Sequence, residues 1–282
     1  MKWQGRRESR NIEDRRGRSK ARAAGGIGGV GLIAVLVVGY FLGIDVTPLL
    51  QDQGGGQVVA SGPMTAEDEA AGKFVSVTLA DTEDVWAQVF KEQLNRQYTP
   101  ATLVLFKGAT SSPCGGASGA SGPFYCPGDK KAYLDTDFFV TLERELGAKG
   151  DFAAAYVVAH EIAHHVQNEL GFLAAANAVR AQVSQAKSNA ISVQIELQAD
   201  CFAGIWARAA QEKFASIDRA DLEEAVNAAR RIGDDTLQRN AGKRPNPHSF
   251  THGTSEQRSR WFVTGYQSGA LGSCDTFSSN EL

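Results

Sequence analysis

The stretch DFAAAYVVAHEIAHHVQNELG, residues 151–171, constrains this 282-residue chain more than any other. It has an acid at its start, an apolar face, no internal Pro or Gly, and a closing glycine, so it reads as one helix. Its middle is HEIAHH, residues 160–165. On a helix successive residues turn by about 100°. His160 and His164 therefore share a face, whereas His165 points elsewhere and suits a packing or supporting role. Two neutral imidazoles one turn apart suit Zn²⁺ at about 2.0–2.1 Å. In H-E-x-x-H the glutamate, here Glu161, is placed to take a proton from water beside the metal. The bland alternative is a solvated or core-facing His/Glu cluster.

A catalytic zinc needs a third protein ligand and an open position. The long pattern H-E-x-x-H-x-x-G-x-x-H is absent, because HVQNELG follows His164. His248 and His252 are candidates if the third ligand is a histidine. The stronger candidate is ELQAD, residues 196–200, where Glu196 and Asp200 are four apart on the next long helix. Glu196 is the expected ligand. Asp200 is expected to reach a ligand histidine's other nitrogen and fix its tautomer.

The rest of the chain divides by composition. Residues 1–22 carry nine Lys or Arg against three acids, and residues 23–44 are 22 residues without a charge. As a helix the second run spans about 33 Å, enough to cross a bilayer core. With the basic flank N-terminal, the expectation is a single anchor in the inner membrane, a cytoplasmic N-terminus and an exported remainder. A cleaved signal peptide is the rival reading, but no small-residue cleavage site follows closely. GIGGVG (26–31) matches a dinucleotide-binding fingerprint only formally, since no strand precedes it. Gly39 and Gly43 have the spacing of a helix-packing motif. Residues 45–80 read as a linker and 81–282 as the folded domain. Helices are expected over about 81–97, 137–146, 151–171, 172–213 with a break near Ser188, 218–232 and 255–267. Strands are expected at 101–108 and 131–135. A net charge of −3 argues against nucleic acid as a partner.

None of the four cysteines has CxxC spacing, which disfavours a thiolate zinc site. In an exported domain they suggest disulfides. Cys114 with Cys126 would staple a Gly/Ser loop, and Cys201 with Cys274 would tie the tail to the ELQAD helix. Three connectivities remain open, as does a buried free thiol at Cys201.

HEIAHH followed by ELQADCFAGIW resembles the glutamate-type zincins, in particular the bacterial neutral zinc metallopeptidase family. The likeness extends over MKWQGRRESRNIEDRRG, GPFYCPGDKKAYLD, HGTSEQRSRWF and the terminal CDTF. It implies an α+β, zincin-like, helix-rich catalytic domain with a small sheet behind one transmembrane helix. It also implies His160, His164 and Glu196 as zinc ligands, Glu161 as base, and a protein or peptide substrate. ELQAD further resembles multi-pass membrane metallopeptidases, from which this chain departs in having one anchor. In zincins an edge strand pairs with the extended substrate, and KAYLD (131–135) is the candidate here. His252 is a candidate for stabilising the oxyanion. Two other readings stay open: a zinc-holding binding or assembly protein anchored by the membrane helix, and a zinc amidohydrolase acting on a non-protein substrate. The sequence does not fix the oligomeric state.

Overall fold

The computed structural model describes residues 1–17, 64–118, 122–144 and 146–279. The apolar run 23–44 and its glycine motifs lie outside these residues. No helix among the described residues is long and apolar enough to cross a membrane.

The fold is α+β and rich in helix, with one small mixed sheet. The sheet order is β1 (Ile12–Asp14), β2 (Thr102–Phe106), β6 (Lys131–Asp135) and β5 (Phe124–Cys126). β1 and β6 run parallel to β2, and β5 runs antiparallel to β6. β2 reads TLVLF because both its faces are covered, as in parallel sheets generally. Leu103, Leu105, Ala132 and Leu134 face the helices, while Val104, Phe106, Tyr133 and Cys126 form a separate cluster on the other face. A side hairpin, β3 (Ala109–Ser112) with β4 (Gly115–Ser118), stands apart from this sheet.

Parallel strands need a long crossover. Between β1 and β2 it contains helix α1 (Ala66–Leu94), which corrects the expected boundary at Asp81. Residues 66–80, expected as linker, are its first half. Thr65 caps it through a reciprocal box with Asp68, and Phe74, Val75, Val77 and Leu79 are buried. The helix was hidden because Asp81, a plausible cap by type, is instead a buried residue within α1.

The basic N-terminal segment is also part of the domain, at least through Gly17. Asn11 precedes β1 and its carbonyl accepts the Leu103 N–H at 2.8 Å. Trp3 packs edge-on against Phe74 with ring centres 5.5 Å apart. The Met1 ammonium donates to Asp151 and Asp221 at 2.8 and 2.6 Å, which gives these two acids a positive partner.

α2 (Phe138–Arg144) leads to α3 (Asp151–Glu169), whose side chains are buried nearly all round, as befits a central helix. The chain breaks at 181–184 rather than near Ser188, giving α4 (Phe172–Arg180) and α5 (Gln185–Phe214). α6 (Arg219–Arg231), α7 (Asp234–Asn240) and α8 (Ser255–Ser268) complete the domain. Thr254 and Gln257 form the capping box expected for α8.

α5 and α8 cross closely. A Cβ on Gly204 would overlap the Phe262 carbonyl, and one on Gly265 would overlap the Cys201 carbonyl. The disulfide Cys201–Cys274 ties the segment after α8 to α5, with Cα atoms 5.7 Å apart. Cys114–Cys126 closes the loop ahead of β5.

Candidate metal centre

α3 carries His160, Glu161 and His164, and α5 carries Glu196 and Asp200. Their crossing brings both imidazoles to one carboxylate. His160 Nε2 lies 3.1 Å from Glu196 Oε2, and His164 Nε2 lies 3.5 Å from Glu196 Oε1. One donor atom from each of the three residues falls within 4.8 Å of the others. Bonds of about 2.0–2.1 Å around a tetrahedral ion put neighbouring donors about 3.3 Å apart. The donor set therefore fits a small divalent cation by distance as well as by type.

The outer ring nitrogens strengthen that fit. His160 Nδ1 is 2.9 Å from Asp200 Oδ1, so in the neutral ring that a cation would require, Nδ1 carries the proton and Nε2 offers its lone pair. His164 Nδ1 meets Gln167 Oε1 at 2.8 Å. The Gln167 amide is turned that way because its NH₂ donates to the Ile195 carbonyl at 2.7 Å and to Gln198 Oε1 at 3.1 Å. Both ligand nitrogens thus face Glu196, where a cation satisfies all three groups.

Asp200 is held from its far side. Arg258 on α8 donates to its two oxygens at 2.8 and 3.0 Å, and Tyr156 OH donates to Oδ1. Both Asp200 and Arg258 are buried. Burial alone would raise the Asp200 pKa, but Arg258 and His160 hold it below the usual carboxylate range. Glu196 is likewise held well down by the two histidines against the opposing effect of burial. Burial opposes charge on His160, yet Asp200 and Glu196 push its pKa up to about 10. The pocket's field thus favours positive charge at the ligand position.

Glu161 sits beside this group, 8% exposed and lining the same pocket. Burial pushes its pKa up to about 7 despite His160 nearby. His252 also lines the pocket. Asp234 Oδ2 accepts the backbone N–H groups of Thr251, His252 and Gly253 at 2.8, 2.7 and 3.0 Å, and so fixes this loop. Its other oxygen is 3.4 Å from His252 Nδ1. Burial works against protonation of His252, but Asp234 and Glu196 raise its pKa.

His165 is a buried packing residue, as its position on the helix predicts, with Nδ1 3.1 Å from Tyr125 OH and Nε2 2.8 Å from the Thr99 carbonyl. His248, a candidate ligand by type, is exposed on a short turn (Pro247–Ser249) and does not line the pocket. One expectation needs correction: β6 (KAYLD) is not an edge strand, because β2 and β5 pair on its two sides. The strand bordering the pocket is β5, whose Phe124 and Tyr125 line it between Pro123 and Pro127. Gln167, Arg258 and Asp234 were missed as site residues. Gln167 stands three positions after His164 and so on the same side of α3, a signal that spacing alone could have raised.

A glutamate from the next long helix completing an H-E-x-x-H pair is the donor arrangement of glutamate-type metal sites. The chain belongs to the family described as "Putative neutral zinc metallopeptidase", whose model matches residues 1–277. It is similar to the uncharacterized protein YpfJ of Escherichia coli K12, with 46% identity over 98% of this chain and 99% of that one. It is also similar to the uncharacterized protein Rv2575 of Mycobacterium tuberculosis H37Rv, with 43% identity over 75% of this chain and 74% of the relative. No solved structure matches the chain.

Proposed function

We propose that the protein is a membrane-anchored zinc endopeptidase of zincin-like fold, with the anchor supplied by residues 23–44. The observation that carries this reading is the convergence of His160, His164 and Glu196 with Glu161 beside them. A purely structural site has no use for a fourth, non-ligating carboxylate, and this argues against a zinc-holding scaffold. Bound at these three residues, zinc supplies Lewis acidity to a peptide carbonyl and acidifies the attacking water. Glu161 takes the proton from that water and delivers it to the leaving amine. His252, held by the Asp234 clamp, donates to the oxygen that becomes negative as the carbonyl is attacked. Asp200 and Gln167 hold the two ligand imidazoles in one tautomer.

An extended chain is the substrate form that the surroundings suit. β5 lies at the end of the sheet order beside the pocket, where its backbone groups can pair with a substrate strand. The apolar lining of the pocket includes Phe138, Tyr156, Val157, Ile232, Leu173 and Ile195. Such a lining favours apolar side chains next to the scissile bond.

The test is zinc content and peptide-library cleavage for the native chain and for Glu161→Gln. About one zinc per chain is expected in both. Cleavage is expected from the native protein and should fall roughly 10²–10⁴-fold in the variant. Equal cleavage by a zinc-loaded Glu161→Gln protein rules out the mechanism. Release of cell-wall amides in place of peptides points instead to an amidohydrolase.

A further inference from the structure

We propose that residues 1–17 stay with the catalytic domain on one side of the membrane, so that the apolar run 23–44 meets lipid without carrying the N-terminus across it. The proposal takes residues 23–44 as the membrane-binding segment, but it does not depend on the chemistry of the active site.

The contacts of residues 1–17 are those of a built-in strand. β1 pairs with β2 through Ile12, Glu13 and Asp14 opposite Leu103, Val104 and Leu105. Glu83, 9% exposed, accepts hydrogen bonds from Arg7, Ser9 and Asn11. Asp81, 3% exposed, takes Arg6 at 2.6 Å. Lys131 reaches across to Glu13 at 2.7 Å. Withdrawing the segment would leave Glu83 and Asp81 buried without these partners, which is strongly destabilising. It would also bare the edge of β2. Docking is therefore a condition of the fold.

Geometry excludes a single crossing in this state. At Gly17 a Cβ would stand only 3.6 Å from Met64 Cγ, so the chain leaves the domain and re-enters it at one point. A single span would separate those two residues by a hydrocarbon layer of about 30 Å. The expected arrangement, with a cytoplasmic N-terminus and an exported domain, cannot coexist with the β1–β2 ladder in one molecule. The basic flank that suggested it has another explanation. Arg6, Arg7, Arg15 and Arg16 form ion pairs with Asp81, with Glu83 and Asp84, with Glu13 and with Asp14. Four of the nine basic residues of the flank thus have carboxylate partners within the described fold. The two disulfides suit an oxidising compartment for the domain, and hence for residues 1–17.

Two measurements on the full chain in membrane vesicles decide the matter. A zero-length carbodiimide cross-link should join Glu13 to Lys131 and be visible as a linked peptide by mass spectrometry. The ion pair of Lys130 and Glu169, at 2.9 Å, serves as the internal control. A membrane-impermeant thiol reagent should label exposed Gln4→Cys and Lys187→Cys in vesicles of the same orientation, and neither in the opposite one. Labelling from opposite sides overturns the proposal. So does coupling of the control pair without Glu13–Lys131, or failure of the chain to fractionate with the vesicles.

Discussion

The two histidines of the metal centre differ in what stands behind them. Asp200 behind His160 is a buried carboxylate braced by Arg258, whereas Gln167 behind His164 is a neutral amide braced by a backbone carbonyl. Asp200→Asn and Gln167→Leu should each weaken zinc binding by roughly 10–100-fold, the usual cost of losing such a partner. Competition with a chromophoric chelator measures it. Excess zinc should restore cleavage to both variants and leave Glu161→Gln inactive, because that defect lies in proton transfer. The sequence made Asp200 legible, since it stands one helical turn from Glu196. Arg258 was not legible as its partner, because 58 positions separate them and only the crossing of α5 with α8 brings them together.

That crossing depends on two residues with no side chain. Gly265→Ala should destabilise the domain by about 1–3 kcal/mol or more through overpacking, because the obstacle is the Cys201 carbonyl and backbone does not yield as a rotamer does. Gly272→Ala, with nothing within 4 Å of the added carbon, should stay within about 0.5 kcal/mol. Urea unfolding of the two variants measures the difference. Elements marked by local chemistry were readable in advance: α3 by its apolar run and closing Gly171, α8 by its capping box. α1 was half hidden because its start carries no strong apolar period. The role of β6 was misread because FYC, separated from it by four residues, reads as part of a Gly/Ser loop, yet it turns back as β5 and pairs antiparallel with β6. The sequence left three pairings of the cysteines open, and the structure selects Cys114–Cys126, which is local, with Cys201–Cys274, 73 positions apart.

At the scale of the molecule, a metal bound at this cluster would add a further tie between α3 and α5, which already meet through His160–Asp200 and through the Gln167 hydrogen bonds to Ile195 and Gln198. An ion drawing Glu196 and the two histidines together would stabilise the folded state. With zinc held at about 1,000 times its Kd the gain is about 4.1 kcal/mol. For a domain of this size that corresponds to a fall in Tm of roughly 8–16 °C when a chelator strips the ion, reversible on adding zinc. Differential scanning fluorimetry checks it, and His164→Ala should start low and fail to respond. The members of the His160, His164 and Glu196 cluster were legible in the sequence because the spacing within HEIAHH and within ELQAD is a local rule. The extent of the domain was not, because a strand of three residues at the start of the chain finds its partner some ninety positions later.

The contact between Gly17 and Met64 bears on how the protein can be handled at the bench. Cutting the chain before Met64 looks like the natural way to discard the apolar run, but it also discards β1 and leaves β2 open to pairing with other chains. Excision works differently. Deleting residues 18–63 and bridging Gly17 to Met64 with two or three glycines keeps every described contact and should yield a water-soluble, monodisperse protein. The simple N-terminal truncation should express as aggregate, and size-exclusion chromatography of the two products would tell them apart.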